Sequence, residues 1–130
     1  IQTLQEDSPR RSKHGQHPII QKPFQKIVDE LNYDYVCDGY TIWRDTEGFK
    51  MNWHEDNLSF SAACQIYLPG STEGSKGTSF KLNDGEMYEF PFEPNTGYFM
   101  DNKERILHGC PTPVQAGATR LSLYVRYQAK

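Results

Sequence analysis

Eight short segments, rich in aromatic and β-branched residues, constrain the fold of this chain more than any other feature. They are YVCDGYTIWR (35–44), FKMNWHED (49–56), LSFSAACQIYL (58–68), TSFKL (78–82), MYEFPFE (87–93), TGYFMDN (96–102), RILHGC (105–110) and TRLSLYVRYQ (119–128). Segments of this length and composition, separated by Gly, Pro, Asn and Asp, predict β-strands. Consecutive strands without intervening helices predict an all-β sandwich or barrel rather than a βαβ fold.

One helix is predicted before these strands. In KPFQKIVDEL, residues 22–31, the apolar side chains fall on one face, and Pro23 suits a first helical turn. Residues 1–18 are polar and rich in turn formers, which indicates a solvated tail or a mobile flap. We find no internal repeat, so residues 19–130 are expected to form a single domain.

Composition excludes several function classes. The 130 residues include two tryptophans, eight tyrosines and seven phenylalanines, enough large side chains for a core. The net charge of -3 gives no electrostatic footprint for nucleic acid, and no apolar run is long enough for a membrane span. Three cysteines without CxxC spacing argue against a disulfide scaffold and for a reducing, cytoplasmic setting. The sequence does not indicate an oligomeric state.

The last segment shows the clearest alternation. Leu, Leu, Val and Tyr alternate with Arg120, Ser122, Tyr124 and Arg126. Because successive side chains on a strand point to opposite faces, one face is apolar and the other polar. In a sandwich, the polar face contacts either solvent or a polar cavity between the sheets.

Two histidines and an aspartate are candidate metal ligands. If FKMNWHED is a strand, His54 and Asp56 share a face, and imidazole and carboxylate together can hold a metal. His108 ends a later apolar segment and could reach the same metal from the opposing sheet. The alternatives are a solvated strand end for the first pair and, for His108, a partly buried histidine bonded to a backbone carbonyl.

A candidate anion receptor follows His108 by twelve residues. Arg120 and Ser122 lie on one face of the last strand, where a guanidinium fork and a hydroxyl could bind a carboxylate. The alternative is an exposed arginine on an edge strand. Two histidines and one carboxylate leave open coordination positions, an arrangement typical of non-haem Fe(II) oxygenases, whereas nothing explains why a zinc site would need Arg120.

With these residues, WHED…LHG…TRLSL resembles the iron(II)- and 2-oxoglutarate-dependent dioxygenases, whose motif is His-x-Asp, a distal His, and an Arg or Lys further on. SKGTSF (75–80) and NTGYFMDN (95–102) also resemble stretches of the prolyl-hydroxylase-like members. The resemblance, over roughly residues 35–127, implies a cupin-like double-stranded β-helix, or jelly roll, with one or two short helices. It maps His54, Asp56 and His108 onto the iron ligands.

The resemblance also implies the cosubstrate and the reaction. Arg120, assisted by Ser122, maps onto the residue that binds the distal carboxylate of 2-oxoglutarate, and Arg126 is the second choice. Further candidates for 2-oxoglutarate contacts are Tyr40, Gln65 and Tyr67. The implied reaction uses Fe(II), 2-oxoglutarate and O₂ to hydroxylate a protein side chain or small metabolite, and releases succinate. The alternatives are a cupin-like metal enzyme without a 2-oxo acid and a non-catalytic jelly-roll binding module; the N-terminal segment could be a lid.

Overall fold

The computed structural model describes residues 9–56 and 59–130 as an antiparallel β structure with one helix. The strands are β1 (Arg10–Gly15), β2 (Tyr35–Asp45), β3 (Met51–His54), β4 (Ala62–Tyr67), β5 (Lys76–Lys81), β6 (Met87–Pro91), β7 (Gly97–Asp101), β8 (Leu107–Cys110) and β9 (Arg120–Ala129). Helix α1 spans Pro18–Glu30, and a 3₁₀ turn spans Asn102–Glu104.

Two sheets face each other. The larger has the order β1-β2-β9-β4-β7, the smaller the order β3-β8-β5-β6, and the strand pairs are antiparallel. Their inner faces touch: Thr78 Oγ1 of β5 donates to Gln65 Oε1 of β4 at 3.1 Å, and Phe80 packs edge-on against Tyr98. The architecture is a jelly roll, as the sequence predicts.

Each of the eight predicted segments contains a strand, but the sheet begins earlier than expected. Strand β1 pairs with β2 over six residues, from Arg10 opposite Asp45 to Gly15 opposite Tyr40. Four of the six β1 residues are exposed, because β1 forms the sheet edge, and this explains its polar composition. Residues 10–15 thus form an edge strand of the larger sheet, whereas residues 1–8 lie outside the described residues.

Helix α1 starts four residues before the predicted position. His17 is the N-cap, with its side chain accepting a hydrogen bond from the Ile19 backbone amide, and Pro18 occupies the first turn. Pro23 therefore lies inside the helix rather than at its start. The helix covers the outer face of the larger sheet and buries Val28 completely. No helix in the described ranges is long and apolar enough to cross a lipid bilayer.

The core lies between α1 and the larger sheet. Val125 and Tyr127, from the apolar face of β9, pack there with Val28, and the Tyr127 hydroxyl donates to the Phe24 carbonyl at 2.9 Å. Tyr40 belongs to the same cluster, since it pairs with Val125 on the helix-facing side. This position excludes Tyr40 from a site between the sheets and corrects its assignment as a candidate cosubstrate residue.

Candidate metal centre and its cavity

The structure brings His54, Asp56 and His108 together at one end of the smaller sheet. Strand β3 ends at His54, which lies opposite His108 of β8, and Asp56 follows two residues beyond the strand. One ligand atom from each residue lies within 4.8 Å of the other two. The predicted cluster is thus present, although Asp56 reaches it from the segment after β3 and not from the strand itself.

The distances within this triad fit a single metal ion. The Asp56 Oδ1 atom lies 2.9 Å from His108 Nε2 and 3.5 Å from His54 Nε2. Neighbouring ligand atoms, each about 2.1 Å from one ion, are separated by about 3.0 Å in octahedral and about 3.4 Å in tetrahedral geometry. The donor set of two imidazoles and one carboxylate suits a first-row divalent metal.

Backbone carbonyls orient both imidazole rings. His54 Nδ1 donates to the Asn52 carbonyl at 2.8 Å, and His108 Nδ1 donates to the Ile106 carbonyl at 2.9 Å. Because Nδ1 carries the proton in each case, Nε2 is the atom left for a metal. Both Nε2 atoms point to the Asp56 carboxylate, which is the arrangement that a shared metal ion requires.

The charges within the triad favour an ionised carboxylate. Burial raises the pKa of Asp56, but hydrogen bonding and the charge of His108 outweigh this effect and lower the pKa below its usual value. Burial likewise lowers the pKa of His108, and its bonds to Asp56 and to the Ile106 carbonyl raise it overall. Both shifts favour the charge-paired form of the two side chains, in which a divalent cation can take the place of the imidazole proton.

Tyr124 of β9 contacts the same carboxylate from the opposing sheet. Its hydroxyl donates to Asp56 Oδ2 at 2.9 Å, which leaves Oδ1 directed at the histidines. Burial and the neighbouring Asp56 charge raise the pKa of Tyr124, so the phenol remains a donor at neutral pH. The sequence placed Tyr124 on the polar face of β9 but gave no signal of its partner.

A cavity of about 150 Å³ extends from the triad to Arg120. Trp43, Gln65, Thr78 and Tyr98 contribute to its walls. Arg126 does not line this cavity within the described part of the chain, so the geometry favours Arg120 over Arg126 as the partner of a ligand that also contacts the metal.

Arg120 is buried, with 4% of its surface exposed, and its donors are only partly used. Nη1 donates to the Lys76 carbonyl at 2.6 Å and contacts Cys110 Sγ, while Nη2 lies 3.6 Å from Asp45 Oδ2. Its Nε is buried and has no hydrogen-bond partner among residues 9–56 and 59–130. A buried cationic donor without an acceptor fits a site for a carboxylate.

Two charged residues beside Arg120 were not predicted. Arg10, Asp45 and Arg120 lie in one row across β1, β2 and β9, and Arg10 Nε donates to Asp45 Oδ1 at 2.7 Å. Burial raises the pKa of Asp45, and the charges of both arginines oppose that shift. The Arg10 guanidinium also lies over the Trp43 ring, 3.9 Å from its centroid. The row carries two positive charges and one negative charge, so it still attracts one anion.

The other candidate residues lie in or behind the cavity wall. Gln65 lines the cavity, accepts a hydrogen bond from the Tyr98 hydroxyl at 2.6 Å and donates to Ser122 Oγ at 3.1 Å. Ser122 and Tyr67 are buried and do not line the cavity as described, and the Tyr67 hydroxyl accepts from the Thr78 amide. Their positions support a role in holding the wall rather than direct contact with a ligand.

The fold is similar to solved oxygenases. Viral collagen prolyl hydroxylase of Paramecium bursaria Chlorella virus-1, in its 2OG complex, aligns at 18% identity with a TM-score of 0.68, covering 94% of this chain and 80% of that one. A 2OG-Fe(II) oxygenase family protein from Burkholderia pseudomallei aligns at 14% identity with a TM-score of 0.70. The alignment covers 98% of this chain and 75% of that one. HygX from Streptomyces hygroscopicus, with nickel and 2-oxoglutarate bound, aligns at 11% identity with a TM-score of 0.62. The alignment covers 94% of this chain and 70% of that one.

Sequence comparison alone finds no relative: neither a protein-family model nor a curated protein sequence matches this chain. The structural matches therefore establish the fold, which is the jelly roll of 2OG-Fe(II) oxygenases. The His-Asp-His triad between its sheets agrees with that class.

Proposed function

We propose that this protein is an Fe(II)- and 2-oxoglutarate-dependent dioxygenase that hydroxylates a protein side chain or a small molecule. The main observation is that one cavity extends from the His54, Asp56 and His108 triad to Arg120, whose buried Nε has no hydrogen-bond partner in the part of the chain that the structure describes. One small cavity thus offers a metal site and a carboxylate receptor, which are the two requirements for binding a 2-oxo diacid.

Each side chain has a role in this proposal. The three ligands would hold the iron through two Nε2 atoms and Asp56 Oδ1, and Tyr124 would keep the carboxylate turned toward the ion. Arg120 would bind the distal carboxylate of 2-oxoglutarate and fix its orientation. Bound iron would supply the site at which O₂ is reduced. The reaction converts 2-oxoglutarate, O₂ and a substrate C–H group into succinate, CO₂ and a C–OH group.

The cavity walls support the exclusion of water from the cosubstrate end. Trp43 and Phe49 lie against the Arg10 guanidinium, with its Cζ 3.9 and 4.3 Å from the two ring centroids. Beside the triad, Phe80 stacks on the His108 ring with centroids 5.7 Å apart. Apolar rings around a charged pocket lower the local dielectric and strengthen the interaction between Arg120 and an anion.

The test is an anaerobic titration of the purified protein with Fe(II) and 2-oxoglutarate, followed by exposure to air. We expect a weak visible charge-transfer band and O₂-dependent succinate formation in the wild type, and neither in His108→Ala. His17→Ala, which alters the exposed helix cap, should behave as wild type. Iron binding without 2-oxoglutarate turnover would indicate a different metal enzyme, and the absence of tight iron binding would indicate a non-catalytic jelly-roll module.

A further inference from the structure

A second arginine on the inner face of β9 lies on the other side of the metal centre. Along this face the order is Arg120, Ser122, Tyr124 and Arg126, and Tyr124 contacts the Asp56 carboxylate. At about 3.3 Å per residue, Arg120 is about 13 Å from Tyr124 along the strand, and Arg126 is about 7 Å away in the opposite direction. The two arginines therefore flank the metal centre and cannot serve the same carboxylate.

Small residues on both neighbouring strands accommodate the Arg126 side chain. In the sheet it lies between Gly39 of β2 and Ala63 of β4. A Cβ added at Gly39 would stand 3.3 Å from Arg126 Nη2, tighter than an ordinary contact. Small neighbours on both sides let the guanidinium lie along the sheet surface instead of extending into solvent.

A neutral hydroxyl holds this guanidinium in place. Arg126 Nη1 donates to Thr41 Oγ1 at 2.7 Å, and Thr41 is 1% exposed. The Thr41 hydroxyl lies 2.8 Å from His14 Nδ1 of β1. Since Thr41 Oγ1 accepts from the arginine, its own proton is free to be donated to His14, so strands β1, β2 and β9 are linked at this point.

Among the described residues, Arg126 has no carboxylate partner, unlike Arg10 and Arg120. Arg10 and Arg120 both face the buried Asp45, whereas Arg126 forms no ion pair within residues 9–56 and 59–130. The nearest acid along β2, Asp38, is exposed, and its carboxylate contacts Gln128 Nε2. A half-buried guanidinium held by a neutral group keeps its remaining N–H donors for an external anion.

We propose that Arg126 binds a carboxylate of the substrate, so that the substrate is a carboxylic acid oxidised a few bonds from that group. This inference rests on the proposed function, because the triad defines where oxidation occurs. The spacing of about 7 Å between Tyr124 and Arg126 along β9 suits a small acid that spans from the guanidinium to the metal. The carboxylate could belong to a free acid or to a peptide, and the same receptor chemistry serves both.

The test compares carboxylic acids with their primary amides. Free amino acids, short aliphatic acids and peptides with acidic side chains or a free C-terminus would each be paired with the matching amide. Binding to the Ni(II)- and 2-oxoglutarate-loaded full chain would be measured by calorimetry, and stimulation of succinate formation would be measured with Fe(II). We expect at least one acid to bind about tenfold or more tightly than its amide, because a charge-assisted fork is lost in the amide. Tight binding of free acids alone, or of peptides alone, would identify the source of the carboxylate.

Three variants assign the effect to Arg126. Arg126→Gln should remove the preference for acid over amide while leaving 2-oxoglutarate affinity within about twofold of wild type, since Arg120 is intact. Arg126→Lys should restore part of the preference, because charge remains but the planar fork is lost. Arg44→Gln, on the other face of β2 and exposed, should match the wild type.

Two results would overturn the proposal: equal binding of every acid and its amide by the wild type, or an unchanged preference in Arg126→Gln. These results are separate from failure of the proposed function. An iron-loaded wild type that forms no succinate would reject the dioxygenase assignment, whereas the calorimetric comparison of acids and amides would still decide the role of Arg126.

Discussion

Removing the Tyr124 hydroxyl provides a sharp test of the metal centre. The hydroxyl donates to Asp56 Oδ2 at 2.9 Å, while Oδ1 faces both histidines. Tyr124→Phe deletes this donor and preserves the ring. A hydrogen bond to a charged group contributes about 1.5–3 kcal/mol. Loss of an outer partner of a metal ligand typically lowers metal affinity about 10–100-fold, which corresponds to about 1.4–2.7 kcal/mol.

We therefore expect Tyr124→Phe to raise the Kd for Ni(II) about tenfold or more, measured by calorimetry with a competing chelator. Ni(II) is suitable because it does not oxidise in air and ranks above Fe(II) in the divalent affinity order. The carboxylate would lose its fixed orientation, so the visible spectrum of the Co(II) form should also change.

Tyr127→Phe is the matched control. Tyr127 lies three residues further along β9 on the opposite face, and its hydroxyl donates to the Phe24 carbonyl at the same distance of 2.9 Å. This variant should lower the free energy of unfolding by about 1 kcal/mol and leave Ni(II) affinity unchanged. Wild-type affinity in Tyr124→Phe, or an equal loss in both variants, would refute the argument that Tyr124 orients Asp56.

Three further predictions concern the cosubstrate pocket, the β3–β8 pair and a buried thiol. Arg120→Gln should raise the Kd of the Ni(II) form for 2-oxoglutarate about tenfold or more, while its affinity for Ni(II) changes little. A calorimetric Kd for 2-oxoglutarate equal to that of the wild type would contradict this prediction. Gly109→Ala should weaken Ni(II) binding and lower Tm by several degrees in a thermal melt, because its Cβ would lie 2.8 Å from the Met51 and Asn52 carbonyl oxygens. Burial raises the pKa of Cys64 to about 11, so iodoacetamide at pH 8 should not modify this thiol in the native state. Rapid modification of Cys64, detected by peptide mapping, would contradict its buried position.

Strands β2 to β9 could be predicted because their pattern of apolar and polar residues is visible in each segment by itself. Strand β1 could not be predicted, because it has no such pattern. Alternation on β9 separates an apolar face from a polar face, and the structure places Val125 in the core and Arg120 in the cavity. Strand β1 lies at an edge, where one face and many side chains remain in solvent, so its composition resembles that of a loop. The position of Asp45 within a buried row could not be inferred without β1.

The clustering of the three candidate metal ligands could be anticipated from the sequence, because residue type and spacing carry the chemistry. The side-chain orientation on β2 could not. Tyr40 was a candidate, yet it faces the helix because it pairs with Val125 on the apolar side of β9. A register irregularity between Cys37 and Gly39 interrupts the alternation along β2, so residue parity counted from the strand start is not a reliable guide. Such a bulge depends on the partner strand and has no clear local signature.

The surroundings of Arg120 also change how carboxylate recognition should be understood. The sequence suggested a two-pronged guanidinium fork, but Nη1 already donates to the Lys76 carbonyl and Nη2 lies 3.6 Å from Asp45 Oδ2, while the buried Nε has no hydrogen-bond partner among residues 9–56 and 59–130. One hydrogen bond fixes little orientation by itself. The excess positive charge of the Arg10, Asp45 and Arg120 row supplies the remaining attraction, and the buried position of the row reduces screening by salt. If this corner binds the carboxylate proposed above, we expect its affinity to come mainly from the net positive charge of the row and less from any single donor of Arg120.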